Sequence, residues 1–111
     1  MTTRIDPRQL AQLAQLADAL RDRDLARLSA AGKAVAAIDR HLAALDLPTP
    51  APTDVAAALA QHHYDGWADA RRRLLQPERD RLESERQTAA DQARTSFGRA
   101  LALQRIRDQL S

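Results

Sequence analysis

Cysteine is absent from the 111 residues, so neither a disulfide framework nor a thiolate metal site can form. Aromatic side chains are nearly absent too: Tyr64, Trp67 and Phe97 are the whole set. A closed globular core would want more large apolar groups, so paired long helices fit better. Gly32, Gly66 and Gly98 are isolated, and none opens a phosphate-cradling loop. No apolar run reaches membrane-spanning length, so no direct membrane insertion is expected. The start, Met1-Thr2-Thr3-Arg4-Ile5-Asp6-Pro7, lacks the apolar centre of a signal peptide, so a soluble chain not secreted by the general route is expected. An excess of one charge is also missing. Lys and Arg together number 17 against 15 Asp and Glu, a net +2. Most of this charge is expected as a solvated face laced with ion pairs, not the one-sided basic stripe that nucleic acid requires.

What remains is the composition of long helices: Ala, Leu, Arg, Gln and Asp dominate. Only Leu47-Pro48-Thr49-Pro50-Ala51-Pro52-Thr53-Asp54 could not be crossed by a helix. The fold expected is all-α, an antiparallel two-helix coiled-coil hairpin, one domain over residues 1–111. Helix 1 covers about 7–46, the linker 47–53 and helix 2 about 54–110. Asp6 suits the N-cap of helix 1, Pro7 its first position, and Gln9 a capping box. Thr53 suits the N-cap of helix 2, with Asp54 in its first turn.

Apolar residues step by three and four through Leu10, Leu13, Ala17, Leu20, Leu28, Ala31, Val35, Ile38, Leu42 and Leu45, the seam of a coiled coil. Asp24 falls on that seam among Arg21, Asp22, Arg23 and Arg27, so a local irregularity is expected there. In helix 2 the seam reads Val55, Leu59, His63, Trp67, Ala70, Leu74, then Ala89, Ala93, Phe97, Ala100, Leu103, Ile106 and Leu110. Pro77 interrupts it. With no Gly or Asn cluster nearby, helix 2 is expected to kink there but continue.

A short linker sets the helices antiparallel. A fold near residue 50 brings Leu45 to Val55, Val35 to Trp67, Leu28 to Leu74 and Leu10 to Ala93. Residues 95–111 then outrun helix 1 by roughly 25 Å. Such an apolar overhang would need a partner.

Chemistry-bearing motifs are sparse. His62 and His63 are adjacent and point to different helix faces. His41 could approach His62 across the hairpin, but no carboxylate completes a metal site, so no metal and no cofactor is expected. Neither paired carboxylates nor a Ser-His-Asp order supports catalysis, so the chain is expected not to be an enzyme. Trp67 either packs over Ala34 and Val35 or forms a partner patch with Tyr64; Tyr64 has the better claim to exposure. Arg71-Arg72-Arg73 with Arg79 and Arg81 fan around the helix beside Glu78, Asp80, Glu83 and Glu85, which favours a self-paired face over an acidic-protein or nucleic-acid dock.

Tyr64-Asp65-Gly66-Trp67, the charged stretch, Ala89-Ala90-Asp91-Gln92-Ala93-Arg94 and Phe97-Gly98-Arg99-Ala100-Leu101-Ala102-Leu103-Gln104-Arg105-Ile106 together resemble the FliJ/YscO family, small stalk proteins of flagellar and type III export machines. The pattern covers mainly residues 60–107. The resemblance implies a two-helix coiled coil similar to the central stalk of rotary ATPases. It implies a cytoplasmic protein peripheral to the inner-membrane export apparatus. Its partners would be the export ATPase hexamer, the export gate membrane protein and export chaperones. Carried onto this chain, Leu10, Leu13, Phe97, Arg99, Leu101, Arg105 and Ile106 would face the ATPase ring. Leu42, Tyr64 and Trp67 would face the gate. The alternative is a helical export chaperone or adaptor holding a client protein along its groove. The chain is shorter than expected for the family, and Pro77 interrupts what the family keeps continuous.

Overall fold

The computed structural model describes residues 6–110. Of the start used in the signal-peptide argument, Met1 to Ile5 lie outside that range. Two helices account for the fold, α1 at Pro7–Leu45 and α2 at Val55–Leu110, and they pack against each other as a hairpin. Asp6 caps α1 as expected: its Oδ1 accepts from the Arg8 N–H at 3.0 Å and its carbonyl accepts from the Leu10 N–H. The cap of α2 is Asp54, not Thr53. Asp54 Oδ1 accepts from the Ala57 N–H at 2.6 Å, and its carbonyl accepts from the Ala58 N–H. A carboxylate satisfies the free N–H groups of the first turn and opposes the helix dipole, so it outcompetes the hydroxyl one residue earlier. The helix continues through Pro77 without a break.

The chain divides into a linker unit, Gly32–Ser84, and a terminal unit formed by residues up to Ala31 and from Glu85 on. In the linker unit, α1 buries Val35, Ile38 and Leu45, and α2 buries Ala68, which is 1 % exposed. Arg72 stitches them together. It donates to the Leu45 carbonyl at 2.9 Å and to Asp46 Oδ1 at 2.8 Å. Two turns further on, Arg79 donates to Asp39 Oδ1 at 3.0 Å. These bonds overturn the expected register. Leu45 lies beside Arg72, not Val55, and Val55 is 86 % exposed. Leu59, Trp67 and Leu74 are exposed as well, so the helix 2 seam is carried by Ala68, Arg72, Leu75, Arg79 and Leu82 instead.

The cause is the linker. Residues 55–71 of α2 rise about 25 Å before Arg72 is reached. The linker from Asp46 must return over that distance, and Pro-rich extended backbone rises about 3.1 Å per residue, twice the helical value. A linker that is short in residues is therefore long in space. It leaves the first turns of α2 without α1 beside them. The unpaired stretch lies at the linker end, and the overhang expected at the far end of α2 does not exist among the described residues.

In the terminal unit α1 buries Leu10, Ala14, Ala17 and Asp24, and α2 buries Ala89, Ala93, Ser96 and Ala100. The buried steps pass straight through Asp24. The irregularity expected at Arg21–Arg27 is absent, and α1 is unbroken there. Leu13 and Phe97, expected on the seam, stand beside it and are about half exposed.

Candidate partner-binding surfaces

Asp24 is the one buried acid among the described residues, 3 % exposed. The Ser96 hydroxyl donates to its Oδ2, and the Arg23 Nε–H donates to its Oδ1 at 3.1 Å. Arg27 adds its charge at 4.0 Å. The Ser96 hydrogen bond is the largest influence holding the Asp24 carboxyl below its ordinary 3.8; desolvation opposes it, and Arg23 assists. A lowered folded-state value means that the unfolded chain binds this proton first. The resulting stability is complete above the ordinary value and is lost as pH falls through the folded one. The melting temperature of wild-type protein should therefore drop on acidification below about pH 4. Ser96→Ala should melt lower at neutral pH and flatten that acid dependence; a profile parallel to wild type would contradict the linkage. A polar pair on an apolar seam also pins register, because a slip would strand the carboxylate.

Beside this pair the terminal unit carries an open groove of about 370 Å³. Leu13, Leu16 and Leu20 supply the α1 wall; Leu103 and Ile106 supply the α2 wall, with Arg99 as its single charge. Leu13, Leu16 and Leu20 repeat by three and four, one residue ahead of the buried Ala14 and Ala17 and the half-buried Arg21. The apolar stripe is thus wider than a two-helix seam needs, the pattern of a helix that packs on more than one neighbour.

The residues assigned from sequence separate into groups. Arg99 and Ile106 join Leu13 on the groove. Phe97 and Leu101 line a different hollow, with Asp18 and Arg21. Leu10 is buried on the seam and borders a smaller hollow with Pro7 and Leu110. Arg105 is exposed. The sequence reading misses Leu16, Leu20 and Leu103 as groove residues. Leu16 has the legible signal, the three-residue step from Leu13.

In the linker unit Leu42 is half-buried. Trp67 is 56 % exposed and Tyr64 38 %, reversing the expected order and removing Trp67 from the seam over Ala34 and Val35. Their rings lie 5.8 Å apart, tilted by 41°. Val55, Leu59 and Leu74 of the same helix are exposed as well, and Val55 and Leu59 lie where α1 does not accompany α2.

No family model, curated protein or solved structure matches this chain. What the chain can do is therefore argued from these surfaces. Among the described residues no group of three or more His, Asp or Glu is placed to hold a metal. His41 lies between Asp39 and Asp46, whose partners are Arg79 and Arg72. That register sets it about four helical turns from His62, so the two cannot meet. Three of the five arginines at 71–81 have partners in the chain: Arg72 binds Asp46 across the hairpin and Asp69 on its own helix, Arg79 binds Asp39 of α1, and Arg81 binds Glu78. No described helix is long and apolar enough to cross a membrane.

Proposed function

We propose that this chain is a non-enzymatic stalk and adaptor of a flagellar or type III protein export apparatus. It works in the cytoplasm, peripheral to the inner-membrane machinery. The terminal unit engages the export ATPase hexamer, and the exposed start of α2, with Tyr64 and Trp67, engages the export gate or export chaperones. The observation that carries this reading is the groove of Leu13, Leu16, Leu20, Leu103 and Ile106, an apolar surface assembled by both helices and left open. Exposed apolar area of this kind marks a partner site. The FliJ/YscO-like pattern over residues 60–107 supplies the class of partner. The mechanism is mechanical and allosteric: a two-helix body seated asymmetrically in a ring contacts its subunits unequally, and so biases assembly and the order of hydrolysis.

Mixing the purified chain with the cognate export ATPase should raise hexamer formation and hydrolysis rate. Leu16→Lys with Ile106→Lys should abolish the gain while leaving helicity intact. An ATPase indifferent to the wild-type chain would overturn the assignment.

A second reading is a helical chaperone or adaptor that holds a client protein. It is favoured by the exposure of Val55, Leu59, Trp67 and Leu74 in the linker unit, outside the terminal groove. Client binding that survives Leu16→Lys with Ile106→Lys but fails in Leu59→Lys with Trp67→Ala would support it over the stalk.

A further inference from the structure

The lining of the terminal groove is one-sided in charge. Arg99 is its only ionisable side chain, and no carboxylate lines it. Among the described residues Arg99 makes no side-chain hydrogen bond or ion pair, whereas Arg21, Arg23, Arg27 and Arg94 of the same unit each hold an aspartate. The nearby acids are committed: Asp91 to Arg94, and Asp24 to Ser96 and Arg23. Arg107 repeats the arrangement at the helix ends. It lines a smaller hollow with Pro7, Leu10 and Leu110, again without a carboxylate and, among the described residues, without an ion pair.

The geometry points to an acidic amphipathic helix of another protein as the occupant of the groove. An apolar trough between two helices receives a third helix through anchors spaced at i, i+3 or i+4, and i+7. From Ser96 to Ile106 α2 rises about 15 Å, the length of about three turns. Leucine-like anchors would fill the space between Leu13, Leu16, Leu20 and Ile106. An Asp or Glu on the flank of the incoming helix would meet the unpaired Arg99. A second copy of this chain, docked groove to groove, would bring another Arg99 and no carboxylate, so it supplies no charge complement. This inference rests on the reading of the terminal unit as a partner site and names the chemistry of that partner.

The test uses the full chain and two synthetic amphipathic peptides with identical leucine anchors, one flanked by Glu and one by Lys. Fluorescence anisotropy should show the Glu peptide binding at least about tenfold tighter, with the preference shrinking as salt rises. Arg99→Glu should reverse the preference. Leu16→Lys, at a side chain 57 % exposed, should keep the helical circular dichroism and lose both peptides. Equal affinity for the two peptides would overturn the acidic-helix assignment. So would a dimeric mass in light scattering that reverts to monomer in Leu16→Lys, which makes a second copy the occupant. Selectivity retained with no effect on the export ATPase would overturn the export reading alone; ATPase stimulation without selectivity would overturn this inference alone.

Discussion

Ala68→Asp should unfold the linker unit, while Trp67→Ala, one residue away, should leave its stability within about 1 kcal/mol. Ala68 is buried on the α2 seam, where the helices approach closely. A carboxylate there has no space, and Arg72, the cation one turn on, is already held by the Leu45 carbonyl and Asp46, so a charge left poorly compensated on the seam costs about 3 kcal/mol or more. Trp67 stands off the seam and is exposed. Its replacement removes the ring contact with Tyr64, worth about 1 kcal/mol at most, and creates no cavity. Urea denaturation followed by helical circular dichroism measures both. The opposite outcome, a tolerated Ala68→Asp and a destabilising Trp67→Ala, would restore the register in which Trp67 is the seam residue and Leu45 faces Val55.

Replacing Pro48, Pro50 and Pro52 together by Gly should lower stability by about 1–3 kcal/mol without removing a packed side chain. All three are exposed. Each proline restricts the unfolded chain, and its loss increases the conformational entropy given up on folding, by roughly 0.4–1 kcal/mol per site. The substitution also relaxes the extended path from Asp46 to Asp54. The Arg72–Asp46 and Arg79–Asp39 pairs then hold the register without help from a stiff return. Denaturant midpoints of the triple variant, with and without Asp39→Ala, measure the two contributions. If the triple variant melts with the wild type, the prolines merely fill a loop.

Much of the fold is legible in the sequence because helices are local. The Asp6-Pro7 start, the stop before Pro48 and the three-and-four rhythm of α1 depend on neighbours within one or two turns. Asp24 is visible as a polar intruder on the seam for the same reason. Leu13 in α1 is misplaced by one residue, but most of the failures lie in α2. There Leu74 beside Leu75, and Phe97 beside Ser96, offer two competing rhythms one residue apart. Hydrophobicity alone chooses the larger side chains, Trp67, Leu74 and Phe97. The structure chooses Ala68, Leu75 and Ser96: Ala68 is small enough to let the helices approach, Leu75 follows it by seven residues on the same face, and Ser96 answers the buried Asp24.

Local sequence therefore dictates that the chain makes two long helices, where α1 begins and where each helix yields to the proline linker, since capping and backbone restriction are decided within a few residues. Register belongs to the tertiary structure. It depends on the spatial length of a Pro-rich return and on pairs far apart in the chain: Asp24 with Ser96, Asp39 with Arg79 and Asp46 with Arg72. From register follows which apolar residues are left facing outward. Leu13, Leu16 and Ile106 stand beside an unpaired Arg99 because the small residues on the seam, and not they, let the two helices close.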